Sequence, residues 1–303
     1  GTNPFFSPYS LFTALAMAYE GAEGNTANEM ADVLNIEQDN ESFHQYVFYL
    51  YQKLNQNTKY NLSTANAAWM QKDFIILEDY LHLVENFYHA EASNIDFSNP
   101  EKAADIINQW VENQTNNLIH DLVPPTAINP ALTKLILTNA IYFKGMWQVQ
   151  FDPVNTTDRP FTLASNETID VPMMSLTDTE DVFNYTETDE FQLLQLPYAG
   201  DDLSMMIILP KENTDVSSII NNLNEKDYVE WLNTMQEVEL DIHLPKFTIE
   251  TPRYSMSQML KTLGIHDAFS SADADFSGIT GEPNLYIKYV FHKAFIEVNE
   301  EGT

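Results

Sequence analysis

The 303-residue chain contains no cysteine. That excludes a disulfide scaffold, thiol catalysis and any cysteine-based metal site. Basic residues are scarce: 14 Lys and Arg stand against 45 Asp and Glu, a formal net charge of −31. So negative a chain is repelled by nucleic acid and by anionic membrane, and neither is expected as a partner. Glycine is scarce too, nine in all, and no phosphate-binding loop, G-x-G-x-x-G or G-x-S-x-G elbow occurs. No run of 18 apolar residues is present, so no transmembrane helix is expected. The opening GTNPFFSPYS lacks the basic and apolar regions of a signal peptide. The seven histidines (His44, His82, His89, His120, His243, His266 and His292) include no HExxH pair or other close ligand spacing. No metal or other cofactor is therefore expected. His120-Asp121 is an adjacent acid–base pair with no nucleophile beside it, and reads as a helix-terminal His next to a loop Asp. No catalytic residue emerges, and the chain is not expected to be an enzyme.

What is present is a large apolar complement: 44% hydrophobic residues, with 18 Phe and 15 Tyr. That suffices for a substantial core. Ser7-Pro8 reads as a helix start, with Ser7 as cap and Pro8 in the first turn, and Leu11, Phe12, Leu15 and Tyr19 follow at helical spacing. Thr26-x-x-Glu29 reads as a capping box opening a helix to about Leu34. Helices are also expected over 43–54, over 77–89, from Asn99-Pro100 with an apolar stripe reaching Ile119, over 216–223, over 226–233 and over 256–263. Strands are expected at 61–70, at the apolar run 132–143, in short alternating segments between 168 and 209, and at 238–249 with a break at Pro245. Residues 271–281 read as a loop. The stretch 285–298, rich in Tyr, Ile, Val and Phe, suits a strand buried on both faces. It then turns abruptly polar at Glu300-Glu301-Gly302-Thr303. No repeat or linker divides the chain, so residues 1–303 read as one α+β domain.

These motifs occur in a familiar order. Asn3-Pro4-Phe5-Phe6-Ser7-Pro8-Tyr9-Ser10 is followed by Gly24-Asn25-Thr26, Ile107-Asn108-Gln109-Trp110-Val111 and Leu137-Thr138-Asn139-Ala140-Ile141-Tyr142-Phe143-Lys144-Gly145-Met146-Trp147. Leu196-Pro197-Tyr198, Leu244-Pro245-Lys246-Phe247, Ala274-Asp275-Phe276-Ser277-Gly278-Ile279 and His292-Lys293-Ala294 complete the series, ending at Glu300-Glu301-Gly302-Thr303. In this order and spacing the chain resembles the serpins over nearly its whole length. The resemblance implies a large mixed central sheet, two smaller sheets and about eight helices. It also places the start at the family's second helix and the end at the hinge of the reactive loop. By the same analogy the loop and the strands behind it have been lost, are disordered or form a separate fragment after cleavage.

The implied activity is suicide inhibition of a serine, or sometimes a cysteine, protease, with the cleaved loop inserting into the central sheet. The alternative within the fold is a non-inhibitory carrier or chaperone. Carried over by position, the hinge is Glu300, Glu301, Gly302 and Thr303. The cluster controlling sheet opening is Ser7, Ser10, Asn139 and His292. The region where the loop first enters holds Trp147, Lys246 and Glu300, with an ion pair between the last two. Gly302 supplies backbone freedom, and Thr303 is small and β-branched enough to enter a strand. The implied partner is a serine protease, the implied state a monomer and the implied location extracellular. Six Asn-x-Ser/Thr sequons, at Asn40, Asn61, Asn113, Asn155, Asn166 and Asn184, lean weakly the same way.

Overall fold

A computed structural model of the chain describes residues 3–36, 40–56, 58–163, 165, 167–200, 202–212 and 214–303. The sequon Asn166 lies outside them. In chain order the elements begin with α1 (Pro8–Tyr19), α2 (Gly24–Leu34), α3 (Asn40–Asn55), β1 (Tyr60–Gln71), α4 (Glu78–Leu83), β2 (Glu91–Ile95), α5 (Pro100–Gln114) and β3 (Leu135–Gly145). Then come β4 (Thr157–Thr162), β5 (Thr168–Leu176), β6 (Val182–Glu187), β7 (Phe191–Pro197), β8 (Ser204–Pro210), α6 (Val216–Asn222) and α7 (Glu225–Thr234). The series closes with β9 (Gln236–Glu239), β10 (Ile242–Pro245), β11 (Phe247–Glu250), β12 (Tyr254–Ser255), α8 (Ser257–Leu263), α9 (Ser277–Thr280) and β13 (Ile287–Val298). Among the described residues these strands form three sheets, of six, four and three strands. Nine α-helices accompany them among the same residues, and the mixture is α+β.

The chain divides into two compact units, Gly1–Phe143 with Ile249–Ile296, and Lys144–Thr248 with Glu297–Thr303. In the first, the large sheet runs β11-β13-β3-β1-β2, with β12 on β13. β13 and β3 pair in parallel, from Ile287 opposite Leu135 to Ala294 opposite Ile141. Parallel strands are covered on both faces, which is why both read as continuous apolar runs. One cover is α1, in which Ala14, Leu15, Ala16, Met17 and Ala18 are all buried. The Ser7 hydroxyl caps it, accepting from the Ser10 N–H at 3.2 Å, and Pro8 sits where a missing N–H costs nothing. A second cluster joins Ala103, Ala104, Ile107 and Val111 of α5 to Trp69, Ile136, Ala140 and Phe291 of the strands. Asn99 caps α5 by accepting from the Lys102 N–H.

In the second unit the smaller sheets run β10-β5-β4 and β8-β7-β6-β9. Ile219 of α6 and Trp231 of α7 pack on Phe191, Leu193, Met206 and Ile208.

Several boundaries differ from expectation, each for a physical reason. α2 starts at Gly24, so Thr26 is inside the helix. Thr26 and Glu29 do not form a capping box with each other. The Thr26 hydroxyl accepts from the Asp275 N–H at 3.0 Å, and Glu29 accepts from the His266 and Asp267 N–H groups at 2.7 and 2.8 Å. α5 ends at Gln114, where Asn116 and Asn117 turn to φ values of +50° and +59°; Ile119 is buried beyond the helix. β3 begins at Leu135 because Leu132 and Thr133 belong to a turn onto the Asn129 carbonyl. Residues 77–89 are α4 followed by a π-helical turn, Val84–Tyr88. The short α9 falls in the stretch read as loop, and β2 and β4 have too few apolar residues to register as strands.

Candidate functional site

Two polar clusters carry the residues singled out above, one in each unit. The first lies on the β3–β13 seam. His292 and Asn139 occupy opposed positions in the register, so their side chains project from the same face. Both are fully buried, as is Ser10. The Ser7 N–H, which can only donate, points to His292 Nε2 at 3.3 Å. Nε2 must therefore be the unprotonated nitrogen, and Nδ1–H donates to Asn139 Oδ1 at 2.6 Å. That turns the Asn139 amide nitrogen toward Ser10 Oγ and toward Asn66 Oδ1, the latter at 2.6 Å. One backbone donor thus sets the orientation of every group down the line. The chain of bonds ends at Asn66 Nδ2, a buried donor with no partner among the described residues. Burial of His292 pushes its pKa down to about 4, because the imidazolium would lose its water.

The structure brings Ser7, Ser10, Asn139 and His292 together, with one change of role. Ser7 takes part through its backbone N–H, while its hydroxyl is committed to capping α1. Asn66 was missed; it is one polar residue among small and apolar neighbours on β1, and its partner is 73 positions away.

The second cluster surrounds the hinge. Lys246 Nζ lies 2.7 Å from Glu300 Oε2, and the Thr156 hydroxyl donates to Oε1 at 2.8 Å. The Lys246 ammonium holds the Glu300 carboxyl below the usual carboxylate range. Trp147 is buried and its indole N–H donates to the Asn299 carbonyl at 2.9 Å. Between these anchors the chain turns. The Asn299 N–H donates to the Gly302 carbonyl at 2.9 Å, and the Asn299 side-chain oxygen accepts from the N–H groups of Glu301 and Gly302. The returning segment then runs antiparallel to residues 145–147. The Trp147 N–H donates to the Glu301 carbonyl, and Gly145 and Thr303 exchange N–H···O bonds of 2.9 and 2.8 Å.

In this conformation Gly302 is required by space. It is absent from the residues with left-handed φ. A Cβ there would stand 1.8 Å from the Gly145 carbonyl oxygen and 2.8 Å from the Met146 Cα, a separation no side-chain carbon tolerates against backbone. Trp147, Lys246 and Glu300 thus gather around the turn, together with Asn299 and with Thr156, which the sequence did not single out. Glu301 projects into solvent.

Among the described residues, no group of three or more metal-binding side chains exists, and no helix is long and apolar enough to cross a membrane. His120 faces Glu112 at 3.1 Å, and Asp121 takes φ +51° in the following loop.

Comparison with known proteins gives one consistent answer. The family model described as "Serpin (serine protease inhibitor)" matches residues 1–303. Serpin B6 of Pongo abelii is 41% identical over 309 residues, covering 99% of this chain and 81% of that protein. Serpin48 of the insect Tenebrio molitor, whose crystal structure is described as that of a highly specific serpin, superposes with a TM-score of 0.91 at 35% identity. That match covers 100% of this chain and 81% of the other. Human thyroxine-binding globulin, solved with thyroxine, superposes with a TM-score of 0.90 at 30% identity, covering 100% and 80%.

Proposed function

The chain belongs to the serpin family, most of whose members inhibit proteases, and from that premise we propose that it traps a serine protease by inserting its own cleaved loop between β3 and β13. The observation that carries this reading is the direct parallel pairing of those two strands, joined to a hinge that already runs antiparallel to the end of β3. A strand continuing in the direction set by Thr303 would lie antiparallel to both neighbours. Its insertion exchanges one parallel ladder for two antiparallel ones, and antiparallel pairing is the slightly more stable arrangement per residue.

The chemistry belongs to the protease. Its serine attacks a peptide bond beyond Thr303, the amine side leaves, and an acyl-enzyme forms. Insertion then carries the attached protease away from the geometry that water needs for deacylation. The role of this chain is to open one seam quickly. The Asn139–His292 bond crosses that seam and has to break for the strands to part, while the Lys246–Glu300 pair anchors the base of the moving segment. A cysteine protease acylated through a thioester is an admissible second target class. An extracellular monomer fits the same reading.

The test is incubation of the full-length protein with chymotrypsin-like and subtilisin-like proteases, followed by denaturing electrophoresis. A covalent complex that survives SDS is the expected result. Cleavage by every protease of a broad panel, with none retained, would overturn inhibition. It would leave the carrier reading, which the likeness to thyroxine-binding globulin supports.

A further inference from the structure

We propose that Tyr198 is a positioning residue that reads the hydroxyl at position 303 and holds the hinge seated before any protease arrives. This rests on the inhibitory reading for its purpose, though not for its geometry. Tyr198 is buried, and its hydroxyl lies 2.7 Å from Thr303 Oγ1. Its ring is fixed by the face of Trp147, 4.8 Å between centroids and 11° from parallel. Its backbone is fixed as well: Trp147 and Tyr198 form an antiparallel bridge, the Gln148 N–H donates to the Pro197 carbonyl at 2.9 Å, and the Ala199 N–H donates to the Met146 carbonyl at 2.8 Å.

Residues 146–148 are therefore held on one edge by 197–199 and on the other by the hinge, through Met146 opposite Gly302 and Trp147 N–H to Glu301 carbonyl. The Tyr198–Thr303 bond ties the two outer segments together across this short strand. A rigid, aromatic-stacked phenol is suited to the task because its hydroxyl is held in place without the entropy loss of a long side chain. Burial pushes the phenol up to about 12, so both hydroxyls carry their protons in the physiological range and either can donate to the other.

The requirement is specific. A hydroxyl at 303 bonds the buried phenol, whereas an isosteric apolar side chain forfeits that bond without relieving the burial. Because Gly302 admits no side chain against Gly145, position 303 is the first hinge residue beyond the turn that can be read by a side chain. Seating it fixes the register in which the rest of the segment would pair, so that insertion starts from a formed end and outruns deacylation.

The test uses the full-length protein and the variants Tyr198→Phe, Thr303→Val and Thr303→Ser, with hydrogen exchange measured at the Gly145 and Thr303 amides. Tyr198→Phe and Thr303→Val are each expected to speed that exchange about fivefold, the loss of one ordinary hydrogen bond. The double variant should be no faster than either single one, and Thr303→Ser should match the parent. With a trapped protease, both apolar variants should also raise the number of inhibitor molecules consumed per protease. Unchanged exchange in Tyr198→Phe, or additive effects in the double variant, would overturn the latch. If no protease is trapped by the parent but the exchange pattern holds, the latch stands and the inhibitory reading falls.

Discussion

On the proposed inhibitory reading, cutting the reactive segment is expected to raise the melting temperature by on the order of 20 °C, provided the cut segment inserts. The seam between β3 and β13 has seven paired positions, from Ile287 to Ala294. An inserted strand of similar length pairs on both edges while the existing ladder is lost, so roughly seven backbone hydrogen bonds are gained net, at about 1 kcal/mol each. A gain of about 7 kcal/mol, at about 2–3 °C per kcal/mol in a domain of this size, gives that shift. Limited proteolysis followed by calorimetry checks it. A cleaved protein that melts within a few degrees of the intact one has not inserted its loop.

Acidification is expected to destabilise the intact protein through His292, and the sign follows from its surroundings. In the folded chain the imidazole is buried, donates to Asn139 and accepts from Ser7, and its pKa falls from the ordinary 6.5 to about 4. The unfolded chain therefore binds a proton first. Stability is fully present above about pH 6.5, declines as the pH falls toward about 4 and levels off below it. At pH about 4 the loss from this one group is about 3 kcal/mol, since each pKa unit is worth about 1.4 kcal/mol. That corresponds to a drop of about 6–10 °C. Carboxylates titrate in the same range, so the comparison is with His292→Gln, which holds neutral hydrogen-bonding groups in the same place. Between neutral pH and that acid limit the parent should lose that much more than the variant; parallel losses would show that His292 does not titrate as its burial requires.

Local signals were legible in the sequence, and long-range partnerships were not. Caps and long apolar strands are local, so Ser7-Pro8, Asn99-Pro100 and the run ending at Val298 could be read directly. The residues of the two polar clusters are joined across distance. His292 and Asn139 are 153 positions apart, and Lys246 and Glu300 are 54 apart. Only their likeness to a family pattern singled them out. Where that pattern was silent, chemistry alone was too: Asn66 and Thr156 are ordinary polar residues until the fold supplies their partners. Tyr198 was noticed only as part of a motif, because its role depends on a hydroxyl 105 positions later. Gly302 was singled out for the backbone freedom of a hinge; the Gly145 backbone pressed against it is a further requirement that a linear sequence does not show. Thr26 and Glu29 failed in the opposite way: a valid local signal was overridden by the donors of residues 266–275.

Insertion requires that β3 and β13 part. The absence of cysteine permits a clean test by replacing Ala140 and Lys293, which face each other in the register, with a cysteine pair. Adjacent strands stand about 4.8 Å apart, within the span that a disulfide bridges. Once a trapped protease is in hand, the oxidised Ala140→Cys/Lys293→Cys variant should be cleaved without forming an SDS-stable complex, and reduction should restore trapping. An oxidised variant that traps protease as well as its reduced form would contradict insertion between these strands.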